Sequence, residues 1–243
     1  MPLLHPVARF SPSRKGLRPQ RINALLRDMR GQTNYLEVGT FLGHTVQVVW
    51  ASKRVGVDPD NRFNHKRTPS NTSTHQMTSD NYFLSFEDDF NLVFLDGLQE
   101  ANQTYADLLN AVDRLRPGGL ILIDDVRPTD WPSSLPDLLS SVAAKEKACL
   151  SHDAWYGSVY KVIQLVIERH QDLGVGIFGN FHGGHGQALG WRRHLERTPR
   201  VENSATVFAN MDFAQVFGTS EEPLWPSKFS LAEPPLKTLL SSS

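Results

Sequence analysis

Asn34-Tyr35-Leu36-Glu37-Val38-Gly39-Thr40-Phe41-Leu42-Gly43 decides the fold together with Arg54-Val55-Gly56-Val57-Asp58, the next apolar run. The first begins as a strand over residues 34–38 and breaks into a glycine-rich turn, where glycine opens backbone conformations closed to other residues. The second is a strand that ends on a carboxylate. Between them, residues 45–50 (Thr-Val-Gln-Val-Val-Trp) are expected as a helix, although their β-branched side chains also suit a strand. Strand, glycine turn, helix and strand make a βαβ unit.

The pattern continues in both directions. Upstream, Ile22, Leu25, Leu26 and Met29 stand at helical spacing, so residues 21–29 read as a short amphipathic helix behind an irregular arm. Downstream, residues 59–76 are polar and read as a loop. Asn91-Leu92-Val93-Phe94-Leu95-Asp96 and Leu120-Ile121-Leu122-Ile123-Asp124 are nearly all apolar, as strands covered on both faces should be. A helix over 105–115 lies between them, stopped at Arg116-Pro117-Gly118-Gly119. A further helix is expected over 155–170. Residues 173–178 and 187–192 then read as two strands joined by a loop containing His182 and His185. Alternating strands and helices, with acidic residues at strand ends, predict an α/β doubly wound, mostly parallel sheet. Three regions are expected: an N-terminal arm and helix (1–30), the main domain (31–195) and a C-terminal extension (196–243).

Several constellations can carry chemistry. In the pattern ExGxxxG from Glu37 to Gly43, a carboxylate can hold the ammonium of an amino-acid ligand while Gly39, Thr40 and Gly43 let the backbone approach it; a purely structural turn is the competing reading. The dinucleotide fingerprint would carry glycine where Glu37 stands, and a diphosphate would meet a like charge there. Asp58 can accept both hydroxyls of a ribose, the role of an acidic residue at this place in dinucleotide folds. Ser79 and Asp80, within Thr78-Ser79-Asp80, can reach an adenine amino group or cap a helix. Asp96, Asp124 and Asp125 end two strands at one rim. Three such carboxylates repel unless protonated or bridged by a cation, and an all-oxygen set suits Mg²⁺, Mn²⁺ or Ca²⁺ better than zinc.

In order and spacing these elements resemble class I methyltransferases dependent on S-adenosylmethionine, and more narrowly the methyltransferase 24-like family related to catechol and sugar O-methyltransferases. The resemblance covers about residues 30–195. It implies a seven-stranded sheet with an antiparallel C-terminal hairpin. It also implies S-adenosylmethionine bound by Glu37, Gly39, Thr40, Gly43, Asp58, Ser79, Asp80 and Asp96, and a divalent cation such as Mg²⁺ held by Asp96, Asp124 and Asp125. The acceptor is then a small-molecule hydroxyl. Positioning of the reacting groups can supply roughly 7–11 kcal/mol of the barrier reduction. Asp96, Gln99 and Asp124 are the residues expected nearest the chemistry. Gln99 departs from the family, because several relatives carry Lys or His there, and Gln cannot act as a base near neutral pH. Either Glu100, His152 or His182 takes that task, or the cation alone acidifies the hydroxyl, or the protein no longer catalyses. Trp155-Tyr156-Gly157-Ser158-Val159 resembles a Trp-Gly-Asp-Val segment in which Ser158 replaces the Asp. Trp155 and Tyr156 there can wall a substrate pocket or pack the core.

Composition narrows the alternatives. A formal net charge of −1 over 243 residues leaves no basic stripe for nucleic acid. No stretch approaches the roughly 20 apolar residues of a membrane span. The N-terminus lacks the apolar run of a signal peptide, so a cytoplasmic location is expected, with a homo-oligomer possible. The single cysteine, Cys149, excludes an intramolecular disulfide and is expected buried and inert. Three rivals stand beside the main reading: a metal-free N- or carboxyl-methyltransferase, a non-catalytic cofactor-binding protein, and, disfavoured by Glu37, an NAD-binding protein.

Overall fold

The runs 92–95 and 120–123 form the middle of the sheet because neither has a face suited to water, and every residue of both is buried. The computed structural model describes residues 14–62, 68–178, 186–193, 198–217 and 228–229. Its strands are β1 (Asn34–Val38), β2 (Lys53–Val57), β3 (Thr72–His75), β4 (Phe90–Leu95), β5 (Leu115–Ile123), β6 (Leu173–Phe178), β7 (Ala188–Arg192) and β8 (Lys228–Phe229). They lie in the order β3-β2-β1-β4-β5-β7-β6-β8. The first five are parallel to one another, and β7 runs antiparallel to both β5 and β6. This is the expected doubly wound sheet with its C-terminal hairpin; β8 adds two residues parallel to β6.

Helices cover both faces. α1 (Arg14–Asp28) buries Ile22, Leu25 and Leu26 against Tyr35, Leu92, Phe94, Leu120 and Leu122 on one side. On the other, α2 (Ser79–Ser85), α3 (Ala101–Asp113), α5 (Tyr160–Arg169) and α6 (Ser204–Asn210) contribute to a second core around Leu36, Val93 and Ile121. α4 (Leu138–Lys147) follows a short 3₁₀ turn at Pro132–Ser134, and α7 (Phe213–Phe217) follows α6. No helix among the described residues is long and apolar enough to cross a membrane.

Several local expectations are corrected. Residues 45–50 do not form a regular helix: the chain after Gly43 makes successive turns, with bonds such as Gln47 N–H to the Gly43 carbonyl at 3.3 Å. β-Branched Thr45, Val46, Val48 and Val49 favour this, while Val46 and Val49 still reach the core beneath α1. The helix placed at 21–29 begins two turns earlier, at Arg14, and carries Pro19 inside it. The polar segment 59–76 contains β3, an edge strand whose pattern is too hydrophilic to announce itself. The helix placed at 155–170 starts at Tyr160, after a turn through Gly157 at φ +59°. Cys149 is exposed rather than buried; it follows the end of α4 at φ +55°.

Candidate active site

Parallel pairing carries four functional residues to one rim. Val38 pairs with both Val57 and Leu95, and Leu95 pairs with Ile123, so Gly39, Asp58, Asp96 and Asp124 each stand one residue beyond a strand end. The ladder extends one step into them: Gly39 N–H donates to the Val57 carbonyl at 2.8 Å, Asp96 N–H to Val38 at 2.9 Å and Asp124 N–H to Leu95 at 3.0 Å. β1 and β4 are neighbours at the point where the strand order reverses, the place where open α/β sheets bind ligands. Gly39 is obligatory at this crossing. Its φ is +92°, and a Cβ there would lie 1.9 Å from the Asp96 carbonyl oxygen.

Glu37 points into the same crevice and is only 2% exposed. The Tyr35 hydroxyl, two residues earlier on the same face of β1, donates to its Oε2 at 2.7 Å. Burial pushes the Glu37 carboxyl up to about 8, against the Tyr35 hydrogen bond and the charge of Arg18, which pull it down. Such a group suits a cationic partner that would ionise it on arrival. The Asp58 carboxylate organises the glycine turn, accepting from Phe41 N–H at 2.8 Å and from Asp60 N–H at 2.7 Å. Thr40 Oγ1 donates to Asn61 Oδ1 at 2.5 Å, and Gly43, at φ +69°, closes the turn with a bond from its N–H to the Thr40 carbonyl at 2.6 Å.

Thr78, not Ser79 or Asp80, caps α2 by accepting from Asn81 N–H. Ser79 is buried and Asp80 exposed, and Gln103 Nε2 of α3 donates to Ser79 Oγ and Asp80 Oδ1, each at 3.3 Å. The same Gln103 group donates to Asp107 Oδ1 at 3.1 Å. Asp107 is a buried acid that the sequence reading missed, hidden in the polar half of a helix. Burial raises its carboxyl to about 6, against hydrogen bonds from Ser79 and Gln103. It lines a small cavity of about 10 Å³ together with Asp96, Gln99, Asp124 and Asp125.

Asp96, Asp124 and Asp125 do converge, but on a guanidinium. Arg18 of α1 places Nη1 3.2 Å from Asp96 Oδ2, Nε against Asp124 Oδ2 and Nη2 3.7 Å from Asp125 Oδ1. Burial works against the charge of Arg18, yet Asp124, Asp96 and Asp125 outweigh it and hold the group more firmly protonated than usual. Asp125, at φ +57°, also accepts from Gln99 Nε2. Among the described residues no three His, Cys, Asp or Glu side chains are grouped so as to hold a metal ion. The expected Mg²⁺ cage therefore does not fit this arrangement: an arginine sits where the ion was expected. The apolar spacing that marks this helix in the sequence starts at Ile22, so Arg18 falls before its expected beginning. The signal was the helical period run backwards, since Arg18 is four residues before Ile22 and shares its sheet-facing side.

Residues 36–126, which contain this rim, match the family model described as a methyltransferase domain. The match spans 91 of the 243 residues and includes both ends of the rim. No curated protein matches it in sequence. Solved structures share its fold at low identity. The O-methyltransferase TomG from Streptomyces achromogenes, in complex with SAM, is 16% identical over 73% of this chain and 80% of its own, with a TM-score of 0.51. Cofactor-bound Rv0187 from MTB is 17% identical over 78% and 84%, with a TM-score of 0.53. SAH-bound PaMTH1 from Podospora anserina is 14% identical over 76% and 83%, with a TM-score of 0.51.

Around this rim, most other candidates are committed elsewhere. Glu100 caps α3, accepting from Gln103 N–H at 2.9 Å. His152 pairs through Nε2 with Asp130 Oδ2 at 2.8 Å. His182 and His185 lie outside the described residues. Ser158 Oγ accepts from Ala101 N–H at 2.8 Å, so the residue replacing the family's Asp serves the start of α3. Tyr156 is buried, and Trp155 donates from its indole to the Leu135 carbonyl at 2.7 Å. Gly157 touches the backbone of Gln99: a Cβ there would lie 1.8 Å from its carbonyl oxygen. That contact fixes the segment from which Gln99 reaches Asp125.

Proposed function

We propose that this protein transfers the methyl group of S-adenosylmethionine to a hydroxyl of a small molecule. The observation that carries the proposal is the rim itself: Glu37, Asp58 and Asp96 meet at the switch point between β1 and β4, beside a glycine that no other residue can replace. The donor set fits the cofactor's chemistry. When bound, S-adenosylmethionine supplies a sulfonium methyl group. Glu37 holds its ammonium, and Tyr35 aims the carboxylate by donating to one oxygen. Asp58 accepts from the ribose hydroxyls with the lone pairs left over from Phe41 and Asp60. Ser79 and Asp80 face the adenine. The O-methyltransferases among the structural neighbours support a hydroxyl acceptor.

On the acceptor side, Gln99 is a positioning residue whose amide holds Asp125 in its left-handed conformation. No step is assigned to Mg²⁺, whose expected ligands are engaged by Arg18. Asp96, Asp124 and Asp125 with Glu37 outnumber the one arginine they surround, which disfavours a carboxylate acceptor, while Arg18 already occupies the place a cationic acceptor would take. Calorimetry with S-adenosylhomocysteine and NAD, followed by transfer of label from S-adenosylmethionine to catechol, alcohol and amine probes, tests the reading. Binding of the first ligand but not of NAD is expected. Failure to bind S-adenosylhomocysteine, or unchanged binding in Glu37→Ala, overturns the site.

A further inference from the structure

We propose that Arg18 is the resident cation of the methyltransferase rim: its guanidinium occupies the place of a divalent metal between Asp96, Asp124 and Asp125, and this chain takes no metal there. The inference rests on the reading of the rim as the acceptor side of a methyltransferase site.

The contacts are those of a built site. One guanidinium meets all three carboxylates through three different nitrogens. The side chain of Asp124 is 1% exposed, so its partner is not exchangeable surface charge. Mg²⁺ needs near-octahedral oxygen geometry at about 2.0–2.1 Å, which a planar fork spreading the carboxylates apart does not leave. A dication brought to the same oxygens would also lie beside a fixed positive charge, and like charges in a partly buried site repel strongly.

Arg18 is anchored rather than lid-like. One turn further along α1, Ile22 is fully buried under the sheet, and Leu25 and Leu26 continue the contact. Arg21, on the same side, donates to Gln187 Oε1 at 2.6 Å and lies over the Phe178 ring at 5.1 Å. Gln99 fixes the third carboxylate from the opposite side by donating to Asp125. The cluster thus has a charge partner and a hydrogen-bond partner of its own. The consequence for the reaction is that Arg18, through its N–H groups, is the positive group nearest an acceptor oxygen at this rim.

The test uses Mn²⁺ as the probe, read by electron paramagnetic resonance and calorimetry on the full chain, and needs no knowledge of the acceptor. The parent protein should show no Mn²⁺ site sensitive to Asp124→Asn. Arg18→Gln should gain such a site, and Arg18→Lys, which keeps the charge, should not. A parent protein that binds Mn²⁺ at a site lost in Asp124→Asn overturns the proposal without any Arg18 variant, so misfolding of a variant cannot shelter it. A folded Arg18→Gln, by circular dichroism, that binds no more Mn²⁺ than the parent also overturns it. Binding of S-adenosylhomocysteine to the parent is measured alongside. Its absence refutes the methyltransferase site, whereas the Mn²⁺ titration alone decides the role of Arg18.

Discussion

Replacing Glu37 by glutamine separates the cost of the site from its use. The carboxyl is fully buried and titrates near 8 rather than its ordinary 4.5. Between those values the folded protein holds a proton that the unfolded chain has released. Stability from this group is therefore complete below about 4.5 and is lost as pH rises through about 8. At about 1.4 kcal/mol per pH unit, the loss is on the order of 3 kcal/mol by neutral pH. For a chain of this size that is roughly 6–12 °C in melting temperature. Glutamine keeps an oxygen to accept from Tyr35 but cannot ionise, so the ligand-free variant should lose far less stability between pH 5 and pH 8 than the parent does. The same change should weaken S-adenosylhomocysteine binding by about 1–3 kcal/mol, the cost of losing a charged hydrogen-bond partner. Thermal melts across pH, paired with calorimetry in buffers of different ionisation enthalpy, measure both; the parent should release a proton on binding at pH 7 and the variant should not. Parallel melting profiles together with equal affinities would refute the assignment of Glu37 as a buried, ligand-ionised acid.

Gly39→Ala forces a Cβ to 1.9 Å from the Asp96 carbonyl oxygen at φ +92°, and should cost about 2–5 kcal/mol in urea unfolding. Asp58→Asn should reduce S-adenosylhomocysteine affinity by roughly tenfold or more, because a ribose acceptor loses its charge while the turn from Gly39 to Gly43 loses a charged anchor for Phe41 N–H; unchanged affinity by calorimetry removes Asp58 from the ribose site. Gln99→Ala should keep turnover within about tenfold, since a positioned general base is worth 10²–10⁴ and Gln99 is not one. A thousandfold loss with folding intact would show that it touches the acceptor.

The parts of the sequence that were legible are those where burial leaves a pattern. β4 and β5 are covered on both faces, so their apolar runs could be nothing else, and the carboxylates at their ends had to fall on one rim. The glycine turn was legible for a similar reason: Gly39 lies where two strand ends approach too closely for a side chain. Residues 45–50 failed because periodicity describes which side chains are buried, not which backbone bonds close; Val46 and Val49 are buried as a helix would bury them, on a chain that makes only turns. β3 was illegible because its residues are polar and none is buried, and the start of α1 because residues 14–20 carry no helical spacing of apolar side chains. Arg18 belongs to that silent region. A charge that points inward carries the same letter as one that points outward, and only the long-range meeting of α1 with the ends of β4 and β5 distinguishes them.

That meeting also accounts for why an acid-rich crevice is tolerated. Glu37, Asp96, Asp124 and Asp125 lie within reach of one another's charge, and burial raises both Glu37 and Asp96 above the usual carboxylate range. Removing the charge partner of buried acids is costly because the remaining charges are left uncompensated. Arg18 meets three of the four, and Tyr35 hydrogen-bonds the other. The division matches the proposed division of labour. Among the described residues the hydrogen-bond partner of Glu37 is the neutral Tyr35 hydroxyl, and no guanidinium is paired with it, so it is the acid with most to gain from an arriving ammonium. The aspartates already have a cation, so they gain little from another. The cofactor end of the rim is then completed by its ligand, while the acceptor end is completed by the protein itself.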